Sequence, residues 1–273
     1  MLSVVIPSRN GARLLRRSLP PLLDDLGDLG EIVVVDDGSK DDTTDAVAEA
    51  GDDRISLVFR SGPRGFCFAV NRGMREARGD LLLLMNNDVE PEPGALGAMV
   101  ESAASVTTDV CALAPRILRP DGTDEGGCAV RLRHGLPLVD LEGRGVPYPS
   151  GACSLFTRES WERLGGLDSR FAPIYWEDVD LGLRARRMGM RVGRVPGAAV
   201  RHQHAATMGS SSESMALRER NRLLLAAQSP LPDGWRFRFR LWLPVHLLLA
   251  RITGNRPFLE GYRQYRRLLR EGS

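Results

Sequence analysis

Apolar runs of strand length alternate with helical spacings from the start of the chain. SVVIP (3–7), EIVVVDD (31–37), ISLVF (55–59) and LLLLM (81–85) are nearly unbroken apolar stretches bounded by polar residues. Between the first two, Leu14, Leu15, Leu19, Leu22, Leu23 and Leu26 recur at helical spacing over 11–26, where Pro20 and Pro21 interrupt the pattern. Residues 41–50, with acids in the first turn, and 66–78 read as further helices. Continuously apolar strands joined through helices predict an α/β fold with a mostly parallel sheet covered on both faces.

The second half is less regular. VCALAP (110–115), GACSLFT (151–157) and MRVGRVP (190–196) read as strands, and 158–165, 177–188 and 214–227 as helices. Residues 119–150 are rich in Gly, Pro and charge, which predicts loop with short strands. From Trp235 onward Phe237, Phe239, Leu241, Trp242, Leu247 and Leu248 mix with Arg236, Arg238, Arg240 and Arg251. We therefore expect a main domain over 1–228 and a basic amphipathic helical appendage over 229–273. The appendage fits either a helical pair packed on the domain or an element on a membrane surface.

Composition narrows the classes. With 273 residues and 42% hydrophobic residues the chain can build a sizeable core. A formal charge of +2 gives no electrostatic reason to expect nucleic acid. The four cysteines are scattered and form no CxxC pair, so reduced thiols and a cytoplasmic location are expected. MLSVVIPSRN lacks the charged lead and long apolar core of a signal peptide, and LWLPVHLLLA (241–250) is too short to span a bilayer.

The chemistry collects at the strand ends. PSRN (7–10), DDGS (36–39), RSGPRG (60–65) and NNDV (86–89) each follow an apolar run. In an open parallel sheet these tips share one rim, where ligands bind. Carboxylates, amides and arginines there suit a nucleotide. No GxGxxG follows a strand and no GxxxxGK[ST] occurs, which argues against a dinucleotide dehydrogenase or a P-loop NTPase. Phosphate must then be handled another way; a divalent cation, Mg²⁺ or Mn²⁺, is the obvious one, and Asp88 could ligate it. In YWEDVDLGLRARRMG (175–189), Glu177 and Asp178 open a helix, and a carboxylate there could act as a general base. In AVRHQHAAT (199–207), His202 and His204 could each complete a metal site or simply be solvated. A strand-ending turn at Asn86–Asp88 and a helix cap at Glu177–Asp178 are the plain structural readings of the two acidic motifs.

Taken in order, SVVIPSRN, EIVVVDDGS, GFCFAVNRGMREARGDLLLLMNNDVEP and GACSLFTRESWERLGGLDSRFAPIYWEDVDLGLRARRMGMRV resemble the family 2 glycosyltransferases of the GT-A fold. The rhamnosyltransferase-like branch is nearest, and the resemblance covers roughly residues 2–228. It implies that Pro7, Arg9, Asp36, Asp37 and Ser39 hold the base and ribose, and that Arg64 and Asn71 line the donor pocket. It implies that Asn86-Asn87-Asp88 stands for the Asp-x-Asp motif, with Asn87 beside the nucleotide and Asp88 on the metal. Glu177 and Asp178 match the acidic pair near the acceptor, with Asp178 as base. His202 matches a metal-ligand histidine, with His204 as second choice. Asn86 departs from the pattern, since a neutral amide there weakens cation binding. The function implied is inverting transfer from a nucleotide-diphosphate sugar to a glycan or lipid-linked acceptor, in the cytoplasm or on the inner membrane face. A nucleotidyltransferase and a non-catalytic sugar-nucleotide-binding module are the alternatives.

Overall fold

The computed structural model describes residues 1–140, 142–203, 211–228 and 234–271. Its first part alternates strand and helix: β1 (Leu2–Ser8), α1 (Ala12–Leu26), β2 (Gly30–Asp36), α2 (Thr43–Glu49), β3 (Ile55–Phe59), α3 (Phe66–Glu76) and β4 (Leu81–Met85). There follow β5 (Val89–Pro91), α4 (Ala95–Ala103), β6 (Val110–Leu118), then β7 (Ala129–Arg133), β8 (Leu136–Asp140) and β9 (Val146–Pro147). The rest comprises β10 (Cys153–Thr157), α5 (Arg158–Leu164), α6 (Glu177–Arg187), β11 (Arg191–His202), α7 (Ser212–Gln228), α8 (Trp235–Ile252) and α9 (Arg256–Glu271).

The main sheet runs β3-β2-β1-β4-β10-β6-β11-β5, and a small sheet runs β8-β7-β9. The four strands β3, β2, β1 and β4 are mutually parallel, as the unbroken apolar runs require. β10 enters antiparallel between β4 and β6, because the chain reaches it from the excursion that carries the small sheet. β5 closes the far edge, antiparallel to β11.

Alternation along the strands builds two cores. Val4, Ile6, Ile32 and Val34 face α1, α2 and α4, whereas Val5, Val33 and Val35 face α3 and the helices of the second half. Leu15, Leu19, Leu22 and Leu26 seat α1 with no exposed surface. That seam carries the helix through Pro20 and Pro21, which the sequence pattern places as interruptions. Pro20 and Arg16, whose carbonyl loses its partner, are both exposed, so water can satisfy the vacancy. β11 extends well beyond the apolar run at 190–196, because a register shift between Val195 and Ala199 absorbs Pro196 and lets pairing resume to His202. α8 and α9 pack on α7, and Phe239, Ala250, Phe258 and Tyr265 join the same apolar cluster as Leu223 and Leu225. The four cysteines are free, and burial pushes the Cys111 and Cys128 thiols up to about 11 and that of Cys153 up to about 12.

Gly73 on α3 marks where helix and sheet meet most closely: a Cβ there would lie 2.4 Å from Val5 Cγ1 and 2.8 Å from Val35 Cγ2. Gly73→Ala should therefore lower stability by about 1–3 kcal/mol, despite the better helix propensity of alanine. Urea unfolding at constant m-value measures it, and an unchanged midpoint would contradict this contact.

Candidate active site

β2 and β3 lie on one side of β1, and β4 lies on the other. The order reverses between β1 and β4, so their carboxyl ends flank a topological switch point, where open α/β sheets bind ligands. The two tips are clipped together there. Asn87 Nδ2 donates to Ser8 Oγ at 2.9 Å, and both residues are buried. Gly11 leaves the room: a Cβ on it would stand 2.3 Å from Asn87 Nδ2.

The β1 and β2 tips are joined as tightly. Asp36 accepts from the Ser39 N–H at 2.9 Å, Ser39 Oγ accepts from the Asn10 N–H at 2.8 Å, and Asn10 Oδ1 accepts from the Lys40 N–H at 2.8 Å. Pro7 is buried within β1, whereas Arg9 is exposed just past its end. Asp37 is engaged by the fold: Arg60 Nε donates to Oδ1 at 2.9 Å and the Gly65 N–H to Oδ2 at 2.8 Å. Arg64 is exposed, with its guanidinium over Gly38, where a Cβ would meet Nε at 2.8 Å. Asn71 serves the fold instead of facing this rim. Its amide donates to Leu167 O at 2.7 Å and accepts from the Leu167 N–H at 2.9 Å.

The acidic helix start reaches the same region through β10. The Asn86 N–H donates to Ala152 O at 2.9 Å, and the neighbouring Gly151 N–H donates to Asp178 Oδ2 at 3.1 Å. Gly151 also faces the Phe66 ring, and the Phe66 N–H donates to Pro173 O at 2.7 Å, next to the loop that delivers α6. That loop is forced into its path. Tyr175 and Trp176 both hold positive φ, +83° and +75°, an uncommon conformation for aromatic residues. Asn221 of α7, wholly buried, secures it by donating to the carbonyls of Phe171, Ile174 and Tyr175 at 2.6, 2.9 and 3.0 Å.

The two acids that follow have different surroundings. Asp178 accepts from the Gly151 N–H and, at 2.7 Å, from the Val179 N–H, and the helix N-terminus favours its charge. Glu177 is 4% exposed and its Oε2 has no hydrogen-bond partner among the described residues. Burial, and then repulsion from Asp178, raise the Glu177 carboxyl well above its ordinary value. Burial raises Asp178 as well, against the two N–H donors that favour its anion. Desolvation thus presses Glu177 toward its neutral form more strongly than Asp178, whose anion keeps two backbone N–H donors.

A third cluster lies at the end of β11. His202 Nε2 is 3.4 Å from Asp88 Oδ1, and His202 Nδ1 is 2.7 Å from Glu125 Oε1. The Gln203 N–H donates to Asp88 O at 3.0 Å and fixes the approach. Burial opposes a charge on His202, but hydrogen bonds to Asp88 and Glu125 and their negative field prevail and raise its pKa to about 9. Glu125 escaped the sequence reading because it lies in the Gly- and charge-rich stretch of 119–150, where no periodicity marks it. His204 lies outside the described residues.

Residues 3–165 match the family model for Glycosyl transferase family 2. The chain belongs to that family. Among family 2 relatives, it is 28% identical over 257 residues to an N-acetylglucosaminyl-diphospho-decaprenol L-rhamnosyltransferase of Mycobacterium tuberculosis, covering 80% of this chain and 83% of that protein. It is 30% identical over 209 residues to the O-antigen biosynthesis protein RfbC of Myxococcus xanthus, covering 70% of this chain. It spans only 16% of the length of that protein, and 25% of an uncharacterized Sinorhizobium fredii relative. A solved mannosyltransferase from Pyrobaculum calidifontis, in complex with GDP-Man and Mn²⁺, superposes with a TM-score of 0.61 at 19% identity over 98% of this chain and 84% of that one. The fold is GT-A. Family 2 membership favours the glycosyltransferase reading over a nucleotidyltransferase.

The Glu177 proton has a measurable consequence. Between the ordinary glutamate value of 4.5 and its raised folded value, the folded chain holds a proton that the unfolded chain has lost. The folded state then binds more protons, so stability should fall as pH rises through that window. Glu177→Gln should flatten that decline, as measured by urea unfolding at a series of pH values. Parallel profiles for the two proteins would contradict the assignment.

Proposed function

We propose that this chain transfers a sugar from a nucleotide-diphosphate donor to an acceptor hydroxyl with inversion at the anomeric carbon. The observation that carries the proposal is the path Asn86–Ala152–Gly151–Asp178, which ties a half-buried carboxylate to the segment that follows β4. In this reading Pro7, Arg9, Asp36 and Ser39 receive the base and ribose. Asp37 shapes their neighbour, the 60–65 loop, through Arg60 and Gly65. Arg64, exposed above Gly38, supplies a cationic partner for phosphate.

The acceptor O–H gives its proton to Asp178. Its oxygen then attacks the anomeric carbon from the face opposite the diphosphate, and the bond from that carbon to the phosphate oxygen breaks. Glu177, pressed toward its neutral form, spares Asp178 a like charge beside it and so helps Asp178 stay ionised to accept the proton.

Asp88 and His202 fit a divalent cation such as Mg²⁺ or Mn²⁺. They offer an oxygen and an imidazole nitrogen 3.4 Å apart, near the separation of about 3 Å that adjacent ligands have in octahedral sites. Among the described residues no three His, Cys, Asp or Glu side chains form a complete metal cage, so the diphosphate and water would supply the other ligands. When bound, such an ion supplies Lewis-acid stabilisation of the leaving diphosphate. His202 would give up its proton on ligation, and Glu125 at Nδ1 would orient the ring. Solved GT-A neighbours carry Mn²⁺ with UDP or GDP-Man. Relatives act on diphospho-decaprenol and diphospho-undecaprenol substrates by their names. We assign this chain a glycan or lipid-linked acceptor, a place at the cytoplasmic membrane face, and membrane contact through its C-terminal helices.

Asp178→Asn should keep donor affinity while turnover falls by about 10²–10⁴-fold, measured as release of nucleotide diphosphate with acceptor present. Near-normal turnover would overturn the base assignment. A thermal-shift series of UDP-, dTDP- and GDP-sugars with Mn²⁺ should identify a donor that stabilises the parent by about 2.7 kcal/mol at a hundredfold excess over Kd. Asp88→Ala should lose the Mn²⁺-dependent part of that shift, and retention of it would remove Asp88 from the metal site.

A further inference from the structure

α8 is apolar on two opposite faces, and only one is covered by the described residues. Phe239 and Ala250 are buried in the cluster shared with α7 and α9. On the other side Phe237, Leu241, Val245, Leu248 and Ile252 recur at intervals of four, four, three and four residues, which places them on one helix face. They are 70%, 60%, 41%, 57% and 73% exposed. A continuous stripe of this kind is unlike the isolated exposed apolar residues of an ordinary surface.

The surrounding charge has one sign. α8 holds four arginines and no acid, and α9 holds five arginines against two glutamates. Arg238 and Arg251 are exposed and border the stripe from its two sides. Between the two helices lies a hollow of about 570 Å³ with Arg236, Arg240, Arg266 and Arg270 in its walls, so the positive field extends across the pair. No helix among the described residues is long and apolar enough to cross a membrane. An apolar face edged by arginine on a helix that cannot span is the pattern of a helix lying in the plane of a bilayer interface. A second copy of the chain would bring the same arginine excess face to face with itself, which disfavours self-association through this stripe.

We propose that the Phe237–Ile252 face of α8 docks flat into the headgroup region of an anionic bilayer, with its apolar residues among the acyl chains and Arg238 and Arg251 on lipid phosphates. The proposal rests on the reading of the C-terminal helices as the membrane-contacting part. It adds the face that makes the contact and the lipid charge that the face selects.

Co-sedimentation of the full chain with vesicles of phosphatidylcholine alone, or mixed with phosphatidylglycerol, tests it. The parent should bind the mixed vesicles at least about tenfold more tightly than the neutral ones, and less as salt rises. The triple variant Phe237→Ser, Leu241→Ser, Leu248→Ser and the charge variant Arg238→Gln, Arg251→Gln should each lose about tenfold or more of that binding. Both replace exposed side chains, so their urea midpoints and nucleotide-sugar thermal shifts should match the parent. Those shifts are read without vesicles, so failure of the donor assignment would leave the vesicle result intact, and the reverse. Equal binding to neutral and mixed vesicles, or no binding to either, would overturn the proposal. A concentration-dependent dimer that the triple variant dissociates would also overturn it, in favour of a second copy on this face.

Discussion

Everything in the cleft depends on β1 and β4 lying side by side while the chain turns in opposite directions beyond them. Parallel pairing from Leu2 to Val5 against Leu81 to Leu84 brings two carboxyl ends to one place. The amide of Asn87 then closes the gap to Ser8. This contact is polar, buried and short-range. It fixes the two strand tips to one another, and the lack of a Cβ at Gly11 is what allows the approach.

The acids that follow the strand tips and open α6 do not have one environment. Asp37 is neutralised within the fold by Arg60, and Asp88 faces the imidazole of His202. Desolvation presses Glu177 toward its neutral form, whereas Asp178 keeps backbone donors that favour its anion. Similar side chains thus acquire separate duties from burial and neighbours. A site assembled from carboxylates needs this division, because adjacent unpaired anions in a dry cleft would repel one another and the incoming diphosphate.

Much of the sheet was legible because parallel strands leave long apolar runs: LLLLM coincides residue for residue with the buried β4, and ISLVF with the partly exposed edge strand β3. The convergence of strand tips followed from the same regularity. What escaped had no periodic signal. β5 is three residues long, β10 is antiparallel although its sequence reads like its parallel neighbours, and β11 continues past Pro196 through an irregularity that hydropathy cannot encode. Glu125 and Asn221 were invisible for a related reason. Each acts through partners 77 and about 50 positions away, and nothing in the local sequence distinguishes such a residue from a solvated one. Conversely Asn71, placed by resemblance at the donor pocket, spends its amide on Leu167, since a side chain with a donor and an acceptor is as useful for pinning a turn as for holding a ligand.

The left-handed pair Tyr175–Trp176 carries a consequence for the architecture. The Trp176 carbonyl accepts the first hydrogen bond of α6 from the Asp180 N–H, whereas the Tyr175 carbonyl is met by one carboxamide on α7, a helix that packs chiefly on α9. The loop before α6 is therefore anchored to the C-terminal half of the molecule by Asn221, assisted by Trp176 Nε1 donating to Arg218 O at 3.1 Å. A chain cut back to the residues of the family match would lose the pair at 177 and 178, and a cut placed between α6 and α7 would keep that pair but leave the loop before it without its tether. The proposed sugar-transfer unit therefore extends through α7.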